Sequence, residues 1–413
     1  MTFKPAKVAI IGSGATTIYL LRHIFKNIAV LKSEITQISI FEKADITGMG
    51  MPYSPNTTDI YNMANISSEE IPELFISFAD WLREQPEDIL QRFHIQKSEI
   101  SDAKVYSRLA LGLYFRSQYE RCIASLQNSG IRIVEHPSVE IIDINPKNDT
   151  YELITKNMSS FITDKVIIAT GHSWSEQDNL KTNFYSSPWP ISKILPSDGE
   201  IYNFPIGILG ASLSAFDVVA SIANRHGTFS KNGQKLVYHP SENTTEFKLV
   251  LHDANGWLPN LQYEQDEPMR EIYRHASRED IFQILDDQKH LRIHTYFDEI
   301  CKPALQKAFL KDNLSALAIK LKDPNFGFKE FVTRMSERHE YENAFEGMKK
   351  EMVEAKNSVL NDKPIHWKEV IDDLMYTLNY HAELMPAEDH VFFRKEVKPF
   401  LMNVIAALPL QSG

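Results

Sequence analysis

Residues 7–17, "KVAIIGSGATT", carry an apolar strand directly into a turn that contains two glycines. An apolar run that enters Gly-x-Gly is typical of the start of a dinucleotide-binding fold. A third glycine is expected three places after the second one, and Thr17 stands there instead. The stretch is therefore compatible with a nucleotide site and also with an ordinary strand-to-helix turn.

Each glycine of this turn has a physical purpose. Gly12 permits the tight turn, and Gly14 lets the backbone come close to a pyrophosphate. The following helix offers unpaired N–H groups and the positive end of its dipole. A third glycine eases only helix–strand packing, so Thr17 demands more room without removing the phosphate contacts. The predicted phosphate site comprises Gly12, Ser13, Gly14, Ala15 and Thr16.

A second indication is Glu42, at the end of the next apolar strand, "ITQISIF". A carboxylate there accepts hydrogen bonds from both hydroxyls of a ribose and disfavours a 2′-phosphate. We therefore predict that Glu42 and its neighbour Lys43 contact the cofactor. The alternative is a generic strand-turn-helix unit with a coincidental acid.

The composition is that of an ordinary globular protein, with 413 residues, 43% hydrophobic and 24% charged. A net charge of −11 argues against nucleic acid as the partner. No apolar stretch approaches the roughly 20 residues of a membrane span, so no membrane partner is expected. Cys122 and Cys301 form no CxxC pair, which fits a reducing cytoplasm. The histidines show no zinc spacing, and no metal site is predicted.

The opening pattern recurs in "GILGASLSAFD", residues 207–217, with Gly210 at the first glycine position. Ser212 replaces the second glycine and adds a side chain where a pyrophosphate would approach, although a serine hydroxyl can also donate to phosphate. We predict cofactor contacts here from Gly210, Ser212 and Ser214, and a structural role for Asp217.

The strand after this second turn, "EFKLVLHDANG", ends in His252 and Asp253 rather than in a cation. An NADP-selective site needs a cation for the 2′-phosphate, and an aspartate repels it. Any nicotinamide bound here is therefore predicted to be NADH rather than NADPH. The alternative is a second unit that is a scaffold and binds nothing.

Several separate stretches together resemble the FAD-NAD(P)-binding family of bacterial flavoproteins, which is related to the flavin-dependent N-hydroxylating monooxygenases. They run in the family's order between about residues 7 and 260, and are "VAIIGSGATT", "IFEKADITGMGMPYSPNTTDIYNMA", "FADWL", "VYSRLALGLYF", "VIIATGH", "SPWP" and "GILGASLSAFD". The resemblance implies an α/β fold like that of glutathione reductase, with two Rossmann-like dinucleotide-binding units, FAD in the first and a nicotinamide in the inserted second.

The predicted domains are an FAD-binding domain over residues 1–185, the inserted nicotinamide-type unit over 200–260, and a largely helical region over 261–413. Long charged amphipathic segments such as "NAFEGMKKEMVEAKNSVL" indicate the helical region. It is expected to shape a substrate pocket or a subunit contact. Family members usually continue into a closing segment that returns to the FAD domain, and this sequence ends at "VIAALPLQSG".

The resemblance also assigns residues to the FAD site. Gly12, Gly14 and Glu42 would hold the ADP part, and the loop with Gly50, Met51 and Tyr53 would lie near the flavin ring or the linking phosphates. The remaining implied contacts are Asn62 and Met63, Arg108 of an R-x-x-x-G pattern, and Thr170 and Gly171 at a strand end.

The chemistry of three of these residues leaves alternatives open. Arg108 can hold a phosphate or a carboxylate bidentately, or can be a surface arginine at a helix start. Tyr53 can stack on a ring or pack within its loop. Asn62 can hydrogen-bond a flavin carbonyl or form an Asx turn.

The resemblance implies an FAD-dependent oxidoreductase, foremost a monooxygenase that takes hydride from NADH or NADPH and oxygenates a small-molecule nucleophile. The cofactors carry out this chemistry, so the enzyme needs no catalytic triad or pair of acids. The sequence shows neither pattern, and no catalytic residue is assigned. The alternatives are a flavin reductase or oxidase without oxygen insertion, and a non-catalytic FAD- or nucleotide-binding sensor or accessory protein. The sequence does not identify the substrate, and it leaves open whether the protein forms a homo-oligomer.

Overall fold

The computed structural model describes residues 5–172, 177–233, 235–254, 256, 258–266, 273–336 and 343–401. The chain divides into two compact units. The first contains Met1–Ser68, Glu73–Asn203 and Asp217–Thr245, and the second contains Glu69–Pro72, Phe204–Phe216 and Glu246–Gly413. The segment predicted as an inserted unit, 200–260, is thus divided between the two.

The first unit is built on a parallel sheet. Its strands are β1 (Ala6–Ile11), β2 (Ile35–Phe41), β3 (Arg132–His136), β4 (Ile141–Lys147), β5 (Thr150–Thr155), β6 (Ser160–Thr163) and β7 (Lys165–Ile168). Four of them form the parallel sheet in the order β3-β2-β1-β7, with Ile11 of β1 paired to Phe41 and to Ile168. Strands β4, β5 and β6 form an antiparallel sheet between β3 and β7 along the chain.

Helices of the first unit precede β3 along the chain. They are α1 (Ala15–Lys26), α2 (Ile28–Leu31), α3 (Phe78–Glu84), α4 (Glu87–Arg92) and α5 (Arg108–Asn128). Helix α1 packs against α5, and Ile18 and Leu21 of α1 are fully buried. Ser77 and Ser107 cap α3 and α5 by accepting hydrogen bonds from the Asp80 and Leu109 amides.

The second glycine turn lies between β8 (Pro205–Leu209) and α6 (Leu213–His226). An antiparallel hairpin of β9 (Gly227–Asn232) and β10 (Lys235–Pro240) follows, and then β11 (Lys248–His252). Strand β11 pairs in parallel with β8, so the carboxyl ends of both strands lie side by side. The sequence pattern predicts β8, α6 and β11 but not the hairpin.

The region after residue 261 is helical, as predicted. Its helices are α7 (Arg278–Gln283), α8 (Ile293–Thr295), α9 (Lys302–Lys311), α10 (Ser315–Lys320), α11 (Phe328–Ser336), α12 (Ala344–Leu360), α13 (His366–Tyr380), α14 (Ala387–Phe392) and α15 (Lys398–Leu401). π-Helical turns stand at Tyr296–Cys301 and Phe393–Val397. An apolar cluster that includes Phe297, Phe331 and Ile371 packs most of these helices together, whereas Ala355 of α12 packs in a separate cluster with Leu261.

Short 3-10 helices occupy Met51–Tyr53, Lys97–Glu99, Leu180–Thr182, Ile191–Ile194 and Ala382–Leu384. None of the helices in the described ranges has the length and apolar character needed to span a membrane. The predicted fold class, a parallel α/β sheet with a helical C-terminal region, is confirmed.

Candidate functional site

The turn between β1 and α1 requires glycine at Gly12 for two reasons. Its backbone is left-handed, with a φ of +100°, and an added Cβ would collide with the carbonyl oxygen of Ala169 just after β7. The same Cβ would lie 3.3 Å from the Cα of Thr170. The strand end that carries the predicted site residues Thr170 and Gly171 is therefore beside the turn.

Gly14 and Gly50 bring two backbone segments together without side chains between them. A Cβ on Gly14 would lie 3.3 Å from the Cα of Gly50, and one on Gly50 would lie 3.0 Å from the Cα of Gly14. Gly50 also has a left-handed φ of +78°. Any larger residue at either position would intrude on the space at the start of α1, so both glycines suit a close-fitting ligand.

The N-terminus of α1 is open to an anion. No side chain caps it at Gly14, and its first turn carries no acid. Ala15 is half-buried and Thr16 is exposed. The first N–H groups of a helix and the positive end of its dipole attract a phosphate. These features fit the diphosphate of a dinucleotide such as FAD.

Thr17 is the residue in place of the third glycine. Its side chain is fully buried, and its hydroxyl donates a hydrogen bond of 2.7 Å to the carbonyl oxygen of Gly12. Thr17 needs more room than glycine, as expected, but it also makes a hydrogen bond that glycine cannot make. The threonine fixes the turn instead of disrupting it.

Glu42 is held at the end of β2 by neighbouring donors. Its Oε2 accepts hydrogen bonds from the Ser13 amide (3.0 Å) and the Ser13 hydroxyl (2.8 Å), and its Oε1 accepts one from the Ala44 amide (3.0 Å). The Ser13 hydroxyl in turn accepts from the Gly48 amide at 3.1 Å. Ser13 is fully buried and acts within the protein, whereas Glu42 is half-buried and Lys43 is exposed.

The loop after β2 packs against α5. A Cβ on Gly112 would collide with the carbonyl oxygen of Tyr53, and the Tyr53 ring meets the edge of Phe115 at 5.2 Å. Burial raises the pKa of Tyr53, although Arg108 acts in the opposite direction. Tyr53 and Met51 are half-buried. Tyr53 thus packs against α5, and Gly112 of the R-x-x-x-G pattern leaves room for this loop.

Asn62 is a structural residue. Its amide oxygen accepts from the Thr58 hydroxyl (2.7 Å) and the Asp59 amide (3.2 Å), and its amide nitrogen donates to the Asp217 carbonyl (3.1 Å) and the Ser221 hydroxyl (2.8 Å). The side chain is fully buried. Both donors and both acceptor positions are used, so nothing is left for the flavin contact that the resemblance implied.

Arg108 pairs with a carboxylate of the protein itself. Its Nη1 lies 2.9 Å from Asp217 Oδ2, and its Nη2 donates to Asp217 Oδ1 at 3.2 Å and to the Met63 carbonyl at 3.1 Å. The guanidinium also lies 5.6 Å from the centre of the Trp189 ring. Of the two partners considered, a phosphate or a carboxylate, the structure shows Arg108 holding the carboxylate of Asp217. No sequence signal linked two residues this far apart in the chain.

The carboxyl group of Asp217 is only 8% exposed, and burial raises its pKa to about 6, with Arg108 opposing the rise. The carboxyl group of Asp59 adds to this rise, and its own pKa is raised by burial. The structural role predicted for Asp217 is therefore that of an ion-pair partner.

The second glycine turn is more open than the first. Gly210 has a φ of +107°, but an added Cβ would meet no atom within 4 Å. Its amide donates to the His252 carbonyl at 2.8 Å, which brings Asp253 to the edge of the turn. Ser212 and Ser214 are exposed. These residues belong to the second compact unit and the residues around Gly12 to the first.

Comparison with known protein families places the glycine turn, the Glu42 loop and the β7 strand end in one family. Residues 9–173 match the FAD-NAD(P)-binding family model. This part of the chain is therefore similar to FAD-NAD(P)-binding domains. Residues 277–405 match the YdhS-like middle domain, which corresponds to the helical region. The resemblance to the FAD-NAD(P)-binding family that the sequence stretches indicate is confirmed.

A curated relative extends over both regions. It is the uncharacterized protein YdhS of Escherichia coli (strain K12), which is 26% identical over 417 residues, or 98% of this chain and 73% of that protein.

Solved structures with similarity to the chain include two monooxygenases. Cyclohexanone monooxygenase from Rhodococcus sp. Phi1 bound to NADP+ is 14% identical with a TM-score of 0.32, covering 68% of this chain and 42% of that one. A flavin-containing monooxygenase from Stenotrophomonas maltophilia is 10% identical with a TM-score of 0.33, covering 63% and 61%. The chain thus spans less than two thirds of the length of either structure.

Proposed function

We propose that the protein is an FAD-dependent oxidoreductase, and specifically a monooxygenase that takes hydride from a nicotinamide and oxygenates a small-molecule nucleophile. The observation that carries the proposal is the turn at Gly12 and Gly14, which opens on an uncapped helix N-terminus within an FAD-NAD(P)-binding domain. Bound FAD would supply the redox chemistry. The residues of the chain would bind and orient it.

Each part of the first site suits a different part of FAD. The open start of α1 suits the diphosphate, because unpaired backbone N–H groups and the helix dipole favour negative charge there. Glu42 suits the adenosine ribose, because a carboxylate accepts hydrogen bonds from hydroxyls. Gly50 keeps the loop backbone close to Gly14 at the start of α1.

A preference for NADH over NADPH is part of the proposal. Asp253 follows β11 directly, and the amide of Gly210 is hydrogen-bonded to His252 beside it. Residues 250–260, "VLHDANGWLPN", contain no lysine or arginine. A 2′-phosphate at this edge would face the carboxylate of Asp253, and repulsion between the like charges disfavours NADPH.

The test is anaerobic reduction of the FAD-loaded protein by each nicotinamide, followed by admission of air. We expect NADH to bleach the flavin absorbance and air to restore it, with NADPH at least about tenfold less effective. Asp253→Ser should narrow the difference between the two nicotinamides. Asp149→Ser, which removes an exposed acid of the first unit, should leave it unchanged. An NADPH preference in the unsubstituted protein would overturn the cofactor assignment.

Oxygen insertion needs its own measurement. Turnover with NADH under labelled oxygen, in the presence of small amines and thioethers, should place one labelled oxygen atom in the product. Stoichiometric hydrogen peroxide with every compound would instead identify an oxidase or reductase. A protein that binds FAD but is reduced by neither nicotinamide would identify a binding or sensor protein.

A further inference from the structure

The environment of Glu42 limits what its carboxylate can still bind. A carboxylate has about four acceptor positions, two on each oxygen. In the part of the chain that the structure describes, three donors already occupy positions on Glu42, namely two from Ser13 on Oε2 and one from Ala44 on Oε1. Oε2 is therefore saturated, and a single acceptor position is left on Oε1.

Ser13 also fixes the direction of that remaining position. Its hydroxyl donates to Glu42 and accepts from the Gly48 amide, so it joins the glycine turn, the end of β2 and the following loop. Ser13 is fully buried, which excludes water as a substitute partner for its hydroxyl. Glu42 is only half-buried, so its remaining position can reach a ligand.

We infer that Ser13 is a specificity-determining positioning residue, which makes Glu42 a receptor for one ribose hydroxyl of the adenosine half of FAD, not for both. The inference rests on the proposed FAD site and corrects the sequence-based expectation that the acid accepts both hydroxyls. The second hydroxyl of the ribose then faces solvent or backbone and contributes little to affinity.

If Glu42 binds a single hydroxyl, the 2′-deoxy and 3′-deoxy forms of an adenine nucleotide should bind with different affinities. The form that lacks the hydroxyl bound by Glu42 loses a hydrogen bond to a charged group, and the other form keeps that hydrogen bond. We therefore expect one of 2′-deoxy-ADP and 3′-deoxy-ADP to bind about tenfold more weakly than ADP, and the other to bind within about twofold of it.

The experiment measures displacement of FAD from the full chain by ADP and by each deoxy-ADP, using flavin fluorescence. Equal losses for both deoxy forms mean that Glu42 receives both hydroxyls, and no loss for either means that it receives none; each result overturns the inference. Both leave the proposed function standing, because FAD is bound throughout. Failure of the chain to bind FAD would instead remove the proposed function itself.

Substitution of Ser13 tests whether this residue restricts Glu42 to one ribose hydroxyl. In Ser13→Ala the Oε2 position is released and the carboxylate can turn, so the tenfold difference between the deoxy forms should shrink to about twofold. A merely structural role would weaken all three nucleotides equally and preserve their ratio, which would contradict the inference. Ser117→Ala is the matched control, because that hydroxyl donates to the Tyr114 carbonyl within α5, and it should keep the wild-type ratio.

If Ser13→Ala does not fold, the discrimination between the two deoxy forms by the unsubstituted protein still decides the inference.

Discussion

The two glycine turns of this chain share a sequence pattern but differ in how their surroundings use it. At the first, a Cβ on Gly12 would collide with Ala169, and Gly14 faces Gly50 at close range. At the second, a Cβ on Gly210 would meet no atom within 4 Å. Glycine is thus required at the first turn by its backbone angle and by its neighbours, and at the second by its angle alone.

The strands that lead into the two turns differ in the same way. Strand β1 is buried at Val8, Ala9, Ile10 and Ile11, as expected for a parallel strand covered on both faces. Strand β8 alternates between exposed and half-buried residues, and Leu209 at its end is 86% exposed. A glycine turn is therefore informative about a ligand site when the strand and loop around it are packed, and less so when they are open.

The largest effect is expected for substitution of Gly12, where the two turns differ most. Gly12→Ala combines a left-handed backbone with a backbone collision, so we expect a loss of about 3–5 kcal/mol in the free energy of unfolding and no measurable FAD binding. Gly210→Ala is the matched control, with a loss of about 1–2 kcal/mol from its backbone angle and with FAD retained. Urea unfolding and flavin fluorescence measure both. Equal losses in the two variants would show that the turns do not differ.

The second prediction concerns Arg108 and Asp217, the latter on the helix that follows the second turn. Arg108→Met leaves a buried carboxylate without its cation, so we expect about 3–5 kcal/mol of destabilisation. Arg116→Met on the same helix removes the exposed pair with Glu120 and should cost less than about 1 kcal/mol. Similar values for both would mean that the buried pair contributes no more than a surface one.

The third prediction follows from the raised pKa of Asp217. Because its pKa rises from 3.8 in the unfolded chain to about 6 in the folded one, the folded state prefers the protonated carboxyl. This contribution to stability is fully present below about pH 4 and is lost as the pH rises through about 6. Relative to Asp217→Asn, the wild-type protein should therefore lose about 1–3 kcal/mol in its free energy of unfolding between pH 4 and pH 7. A pH-independent difference would contradict the burial effect.

The smallest effect tests Thr17. Thr17→Val keeps the shape of the side chain and removes the hydroxyl that donates to Gly12, so we expect about 1–2 kcal/mol of destabilisation. Thr17→Ser keeps the hydroxyl and should recover most of the hydrogen-bond contribution. If valine is tolerated as well as serine in thermal unfolding, the hydrogen bond does not hold the turn.

The sequence predicted the local parts of this architecture because periodicity and turn residues are local signals. Strand β1, helix α1, strand β2 and the acid at its end were all found in this way, and so was the helical region after residue 261. The pattern showed that Thr17 was tolerable, but not that its hydroxyl binds the Gly12 carbonyl.

The long-range contacts could not be predicted. Arg108 and Asn62 match positions of a flavoprotein pattern, yet both are engaged by Asp217, which is more than 100 residues further along the chain. Neither residue carries a local signal that distinguishes a cofactor contact from an internal one. The same is true of Ser13, because the local sequence does not indicate that its hydroxyl binds Glu42.

The central claim is that the turn at Gly12 and Gly14 holds FAD. The most direct measurement is a titration of the purified full chain with FAD, followed by visible absorbance and flavin fluorescence, with Gly12→Ala and Gly210→Ala in parallel. The account predicts saturable binding of one FAD per chain, abolished in Gly12→Ala and retained in Gly210→Ala. A wild-type protein that stays colourless at saturating FAD, or a Gly12→Ala protein that binds FAD as tightly as wild type, would contradict it.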